Sequence, residues 1–180
     1  MEKRKWIVLN YNLPSEPSRH RVAVWRGLKK LGAVNIQQSM WILGYNEPNY
    51  RALRKIAQDV ESSNGEALLM ETAFFDEKHE ERVISLYNDI RDEEYHEFIE
   101  KCEEYLGELE KEIRIEKFTF AELEEEEEEF EKLVSWHEKI ATRDIFHALA
   151  GDRAKERLEQ IKKAFEVYSD LVYKHNNNRF

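Results

Sequence analysis

Hydrophobic and polar positions in the first 75 residues follow the pattern of short strands alternating with amphipathic helices. Aromatic and β-branched residues predict a buried strand over 6–11, and further strands are predicted over 33–37, 40–43 and 67–75. Helices are predicted over 15–31 and from 46 onwards. We expect Ser15 or Ser18 to cap the first helix and Gly32 to end it. The order βαββαβ predicts an α+β fold that opens with a ferredoxin-like, four-stranded antiparallel sheet.

Beyond residue 75 the apolar positions recur at helical spacing. A short apolar stripe over 83–90 and a longer one over 95–113 are separated by Arg91-Asp92, where we expect a bend. Two more helices are predicted, one after Thr119 and one from Gly151, so the extension consists of antiparallel helices of about 20 residues. The predicted domains are a ferredoxin-like α/β domain over 1–75 and an acidic helical domain over 76–180. The tail over 176–180 is expected to be frayed.

Charge is distributed unevenly along the chain. The net charge of the chain is −10, yet residues 1–60 carry 11 Lys and Arg against 4 Asp and Glu. Residues 61–180 carry 17 Lys and Arg against 34 Asp and Glu. Opposite charge in two halves of a chain indicates two roles, or two surfaces that face each other.

Several classes of protein are disfavoured by composition and by missing motifs. The single cysteine, Cys102, excludes an internal disulfide and fits a reducing compartment. No apolar run reaches the ~18 residues of a membrane span. No glycine-rich phosphate loop, CxxC pair or recognisable nucleophile motif is present, so we predict no cofactor. These observations favour a cytoplasmic regulatory or binding protein over an enzyme.

The first predicted helix carries the main candidate binding residues. On a helical wheel, Val24, Trp25, Leu28 and Leu31 share one side, and the opposite side is basic. Arg19, Arg26 and Lys30 lie on that side and Lys29 lies beside them. We expect these four cations to contact DNA phosphates or an oxyanion such as chromate. The alternative is an ordinary charged surface that docks on the acidic part of the chain.

Two features of the acidic half allow other interpretations. The run Glu124–Glu129 could bind a basic protein partner, although a solvated helix turn explains it as well. The spacings Glu93-x-x-His96 and Asp144-x-x-His147 occur in di-iron bundles, which also need inward glutamates on two further helices. We therefore predict no metal site. His137 and Cys102 lie on apolar stripes, where packing roles are expected.

Segments spread over most of the chain resemble the N-terminal part of the chromate-resistance regulator family ChrB. They cover residues 13–26, 31–43, 91–95, 116–124 and 143–146. The resemblance implies a ferredoxin-like start with a helical extension, in a bacterial protein linked to chromate efflux and its transcriptional control. Longer members of the family carry a second, C-terminal domain beyond the part that this sequence resembles, and we do not expect steps that depend on that domain here.

Within this interpretation we expect a homodimer that binds DNA or an oxyanion. Arg21, Arg91 and Arg143 are candidates for internal ion pairs, with a ligand contact as the alternative.

More distant resemblances connect the front segment to the C-terminal part of PaaX-type repressors and to small CRISPR-associated adaptation nucleases. In those nucleases a Tyr-Asp pair on the first strand supplies the acid that binds metal. The corresponding pair here is Tyr11-Asn12, and asparagine is a weak, neutral ligand for a hard cation. A metal-dependent nuclease is therefore disfavoured.

Overall fold

A computed structural model of the protein describes residues 3–177, which form two compact units divided between Leu86 and Tyr87. We call them unit 1 and unit 2. The described residues contain four strands and five helices: β1 (Trp6–Asn12), α1 (Ser18–Leu31), β2 (Val34–Gln37), β3 (Met40–Gly44), α2 (Glu47–Ser62), β4 (Glu66–Thr72), α3 (Glu77–Arg114), α4 (Phe120–Arg143) and α5 (Gly151–Asn177). None of the helices in residues 3–177 combines the length and the apolarity needed to span a bilayer.

Unit 1 is built on a four-stranded sheet with the strand order β2-β3-β1-β4. All its pairings are antiparallel: β1 with β3, β1 with β4, and β2 with β3. The predicted α+β, ferredoxin-like fold is thus confirmed. The central position of β1 follows from the apolar run at its start, since the consecutive residues Trp6–Leu9 are all buried and both faces of the strand are therefore covered there.

The ends of the two helices in unit 1 follow local chemistry. Gly32 ends α1 in the left-handed conformation, with φ 78°, as predicted. The side chain of Asn46 accepts a hydrogen bond of 2.7 Å from the amide of Asn49 and so caps α2. The start of α1 was predicted wrongly, because the helix begins at Ser18, after Pro17, and neither Ser15 nor Ser18 supplies a side-chain cap.

Unit 2 is helical, with a core in which α3, α4 and α5 all take part. Its largest fully buried side chains are Tyr87, Phe98, Leu109, Ile140, Ile161 and Tyr168. Hydroxyl groups anchor the core to the backbone: Tyr105 donates to the carbonyl of Glu126 at 3.0 Å, and Tyr168 donates to that of Lys117 at 2.8 Å. The predicted helical extension is therefore confirmed, although its helices have 38, 24 and 27 residues rather than about 20.

The predicted bend at Arg91-Asp92 is wrong, because α3 runs without interruption from Glu77 to Arg114. Its buried positions continue from Val83 through Tyr87 to Tyr95 at spacings of four, and the position between the last two is occupied by Arg91, which is only 2% exposed. A charged residue on the buried stripe made one long apolar pattern look like two. The predicted frayed tail was also wrong in part, since Asn176 is helical and donates to the carbonyl of Phe118 at 2.9 Å; residues 178–180 lie outside the described part.

Candidate functional site

Helix α1 contains only cations among its formally charged residues: three arginines and two lysines with no Asp or Glu. Val24 and Leu28, one turn apart, are its buried residues and set the side that faces the core of unit 1. The four predicted cations lie at angles away from this side, whereas Arg21, three positions before Val24, shares it. Lys29 and Lys30 lie in the last turn, where positive charge also interacts favourably with the helix dipole.

The four predicted cations lie on the outward side of α1. Arg19, Arg26 and Lys30 are exposed and Lys29 is half-buried. No carboxylate within residues 3–86 forms an ion pair with any of the four, although other cations of unit 1 are paired, such as Lys5 with Glu71 at 2.8 Å. We call these four residues the basic helix surface. Within unit 1 its charges are not neutralised by the protein itself.

An exposed aromatic residue, which the helical wheel places on the apolar side, lies beside these cations. Trp25 was predicted on the apolar side of α1 but is 50% exposed, and Val22 is also exposed. The prediction is wrong because the buried side of α1 is narrow and contains only Val24 and Leu28, which are four positions apart. Trp25 lies at the margin of this side. An exposed tryptophan among cations is typical of a binding surface, since its ring supplies contact area.

Helix α2 adds two cations that the sequence argument did not single out. Arg54 and Lys55 are exposed and form no ion pair within residues 3–86. The two helices pack side by side, so closely that a Cβ atom on Gly27 would lie 3.3 Å from the side chain of Ile56. Both cations could have been predicted, because they lie off the buried positions of Leu53 and Ala57 on the wheel of α2.

The groove between α1 and α2 has a different character from the basic helix surface. It encloses about 360 Å³ and is lined by His20, Ala23, Val24, Gly27, Ile56, Asp59, Ser62 and Ser63. The ring of His20 lies 3.1 Å from the hydroxyl of Ser63, which donates to the carbonyl of Asp59. None of the four cations lines this groove.

Arg21 is placed differently from the other cations of α1. Its guanidinium donates a hydrogen bond of 2.9 Å to the carbonyl of Ser15, in the loop before the helix. The side chain is exposed and makes no ion pair within residues 3–86. This hydrogen bond connects the Arg21 side chain to the backbone of the loop before α1.

In unit 2, Arg91 and Arg143 meet at one carboxylate. Glu94 lies 2.9 Å from Nε of Arg91 and accepts a hydrogen bond of 3.0 Å from Nη2 of Arg143. The Arg91 side chain is almost fully buried. Burial lowers the pKa of its guanidinium, an effect that the charge of Glu94 opposes. The pair therefore joins α3 to the end of α4.

Neighbouring residues of the same two segments hold the loop between α4 and α5. Tyr95 donates its hydroxyl to Asp144 at 3.1 Å, and the other oxygen of Asp144 accepts from the amide of Ala148 at 2.9 Å. Asp92 accepts from the amide of Ala150 at 2.7 Å. Burial, helped by Asp144, raises the pKa of Tyr95. The segments 91–95 and 143–146 thus form one connected polar cluster with the loop.

The two carboxylate–histidine spacings do not form a metal centre in the described residues. Glu93 and His96 are both exposed, and His147 is exposed while both oxygens of Asp144 are already bonded. Within residues 3–177 no group of three or more His, Cys, Asp or Glu side chains is arranged to hold a metal ion. His137 is half-buried against Phe98, with ring centroids 5.2 Å apart, and burial lowers its pKa.

The acidic run on α4 is solvated except at one residue. Five of the six glutamates in Glu124–Glu129 are exposed, but Glu126 is only 6% exposed because it shares the buried stripe with Leu123 and Leu133. Burial, reinforced by the negative charges of Glu108 and other glutamates, raises the pKa of Glu126 to about 7. The interpretation of the whole run as a solvated turn was therefore wrong for this position.

Comparisons with known proteins agree with the motifs of the sequence. A family model described as "Protein ChrB, N-terminal" matches residues 21–179. Protein ChrB of Cupriavidus metallidurans is 32% identical over 95 residues, which are 52% of this chain and 28% of that protein. The chain therefore matches less than a third of this relative's length. No solved structure matches the chain. Neither PaaX-type repressors nor adaptation nucleases are among these matches.

Proposed function

Because this chain belongs to the ChrB N-terminal family, we propose that it is a regulatory protein linked to chromate resistance and not an enzyme. In this proposal it acts in the cytoplasm as a homodimer and binds DNA through the basic helix surface. The single cysteine, Cys102, is fully buried and burial raises its pKa to about 12, which fits a thiol with no redox role.

The observation that carries the DNA proposal is that the cations of α1 form no ion pair with a carboxylate of residues 3–86. A helix with five cations and no carboxylate, four of them on the outward side, attracts a polyanion and releases counterions from it on binding. Trp25 at the edge of this surface adds contact area. Arg54 and Lys55 on α2 are further exposed cations of unit 1.

The spacing of the four cations favours DNA over a single small oxyanion. Arg19 and Lys30 are eleven positions apart on one helix, which corresponds to about 16 Å along its axis. A tetrahedral anion such as chromate could reach only two neighbouring cations, for example Arg26 and Lys30 at i, i+4. A phosphate backbone can reach all four. Chromate binding at that pair remains the alternative to be measured beside DNA.

A salt titration of affinity for double-stranded DNA tests the proposal. Each cation that contacts a phosphate releases counterions from the DNA, so affinity is expected to fall steeply as salt rises, although the net charge of −10 opposes binding. The double variant Arg19→Ala/Arg26→Ala is expected to lower the slope of log K against log salt by roughly 2, because each lost phosphate contact removes about 0.9. Fluorescence anisotropy of labelled DNA gives both quantities.

The matched control is Arg114→Ala/Arg153→Ala, which removes two exposed arginines from unit 2 and should leave the slope unchanged. DNA affinity that is absent at low salt, or that is the same in the α1 variant and the wild type, contradicts the proposal. A separate calorimetric titration of the protein with chromate distinguishes the oxyanion alternative, which predicts saturation by chromate and no dependence on Arg19.

A protein-interaction role is the second candidate, and the five exposed glutamates of the run Glu124–Glu129 favour it. Such a surface would bind a basic partner through unit 2 and leave α1 without a part in binding. The DNA titration separates the two functions, because only the first depends on Arg19 and Arg26.

A further inference from the structure

Strand β4 is at the edge of the sheet in unit 1. It pairs with β1 over all seven of its residues, from Glu66 to Thr72, and its other side meets no further strand among residues 3–177. The hydrogen-bonding groups on that side are therefore available to another strand. An open edge of this length is a template for pairing unless charge, proline or a covering element blocks it.

The side chains of β4 are unusually apolar for an open edge. Leu68 is 63% exposed and Met70 is 42% exposed, and they lie on the same side of the sheet, two positions apart. The strand contains no proline and no lysine, and its two carboxylates, Glu66 and Glu71, lie near its ends. The centre of the edge is thus apolar and unprotected.

We infer that this edge pairs with β4 of a second copy of the chain, antiparallel and about a two-fold axis at Leu69, so that two sheets join into one. Leu69 is the middle residue of the strand, and this register places Leu68 of each copy opposite Met70 of the other. Glu66 then lies opposite Thr72 and Glu71 opposite Ala67, so no two carboxylates face each other.

Neighbouring registers fit less well. Directly opposite residues must lie on the same side of the sheet, so the axis can shift only by whole residues. With the axis at Leu68, Met70 would face Glu66; with the axis at Met70, Leu69 would face Glu71. Only the axis at Leu69 pairs all seven residues and matches both exposed apolar side chains.

This inference rests on the homodimer of the proposed function and names its interface. This interface would join the two copies of unit 1 through their sheets. The dimer would then carry two basic helix surfaces, one from each copy. The protein–DNA contact itself does not depend on it.

Disulfide trapping tests the register in the full-length chain. In Leu69→Cys the two cysteines would lie directly opposite, with Cα atoms about 4.5 or 5.5 Å apart, within the range that a disulfide spans. Oxidation is expected to give a covalent dimer on a non-reducing gel. In Glu71→Cys the same two atoms would be about 13 Å apart along the strands, and no dimer is expected. Cys102 is buried and does not contribute.

Leu149→Cys, at a position that is 92% exposed in unit 2, reports cross-linking by random collision. Equal cross-linking at 69, 71 and 149 would overturn the inference. So would cross-linking at 71 but not at 69.

Charge substitutions give an independent measurement by light scattering. In Leu68→Lys/Met70→Glu, each lysine would face a glutamate of the other copy, and the dimer mass should persist. In Leu68→Lys/Met70→Lys, lysine would face lysine, and the mass should fall to that of a monomer, with circular dichroism showing that both variants fold. If both variants keep the mass of a dimer, the proposed interface is wrong, whereas the homodimer itself is not contradicted. A wild-type chain that stays monomeric overturns both, while the DNA titration stands separately.

Discussion

In unit 1 the side chains of Arg19 and Arg26 on α1 end in solvent, whereas in unit 2 Arg91 and Arg143 end on the carboxylate of Glu94. The same arginine side chain therefore has different roles in the two units, depending on its burial and its partners. A buried guanidinium needs its carboxylate, because an uncompensated charge in the interior is expensive. An exposed one without a partner contributes little to folding and is available for a ligand. The comparison separates residues that hold the fold from residues that can bind.

The strongest way to break this comparison is one substitution made in both units. Arg91→Ala is expected to lower the free energy of unfolding by about 3 kcal/mol, because it removes one partner of a buried pair and the packing of the arginine stem. Arg26→Ala, the matched control on α1, should change it by less than about 0.5 kcal/mol. Urea unfolding followed by circular dichroism measures both. Equal effects of the two variants would contradict the assignment of roles.

A buried carboxylate in unit 2 provides the second test, through pH. The pKa of Glu126 is raised in the folded state to about 7, so the folded protein holds this proton more tightly than the unfolded chain does. The resulting stabilisation is complete below the unfolded pKa and is lost as pH rises through about 7. Between pH 5 and pH 8 we expect a loss of roughly 2 kcal/mol from this group.

Glu126→Gln keeps the shape of the protonated acid and should remove this part of the pH dependence, which leaves the variant more stable than the wild type at pH 8. Glu127→Gln, its exposed neighbour, is the control and should follow the wild-type profile. Urea unfolding at a series of pH values gives the profiles, and parallel curves for wild type and Glu126→Gln would refute the expectation.

Local patterns in the sequence were sufficient for the order of elements in unit 1. Period-two strands and helical spacing, together with the cap at Asn46 and the end at Gly32, lead to βαββαβ and hence to the sheet. The outward side of α1 was also predictable, because the angle of a residue on a helix depends only on its position. The four cations of that side follow directly.

Tertiary contacts determined what the sequence could not show. Arg91 and Glu126 occupy positions on the buried stripes of their helices. Because a charged residue interrupts the apolar pattern there, the sequence predicts a bend at Arg91 and a solvated turn at Glu126. The ion-pair partner of Arg91, Glu94, is only three positions away, but other contacts of the same cluster are distant in sequence. Arg143 is 49 residues from Glu94, as Asp144 is from Tyr95. Such pairs have no local signature, so the cluster that joins α3 to the loop between α4 and α5 could not be derived from spacing.

Arg21 gives the finest test of the comparison, because it lies on the binding helix yet bonds within its own chain. Its guanidinium donates to the carbonyl of Ser15, an exposed contact that orders the loop before α1. Arg21→Ala is therefore expected to lower the free energy of unfolding by only about 0.5 kcal/mol. The slope of DNA affinity against salt should change far less than in Arg19→Ala, which removes an exposed cation two positions away on the same helix. If Arg21→Ala lowers that slope by about 1, as a lost phosphate contact would, then Arg21 belongs with the binding residues and its bond to Ser15 does not hold it away from the ligand.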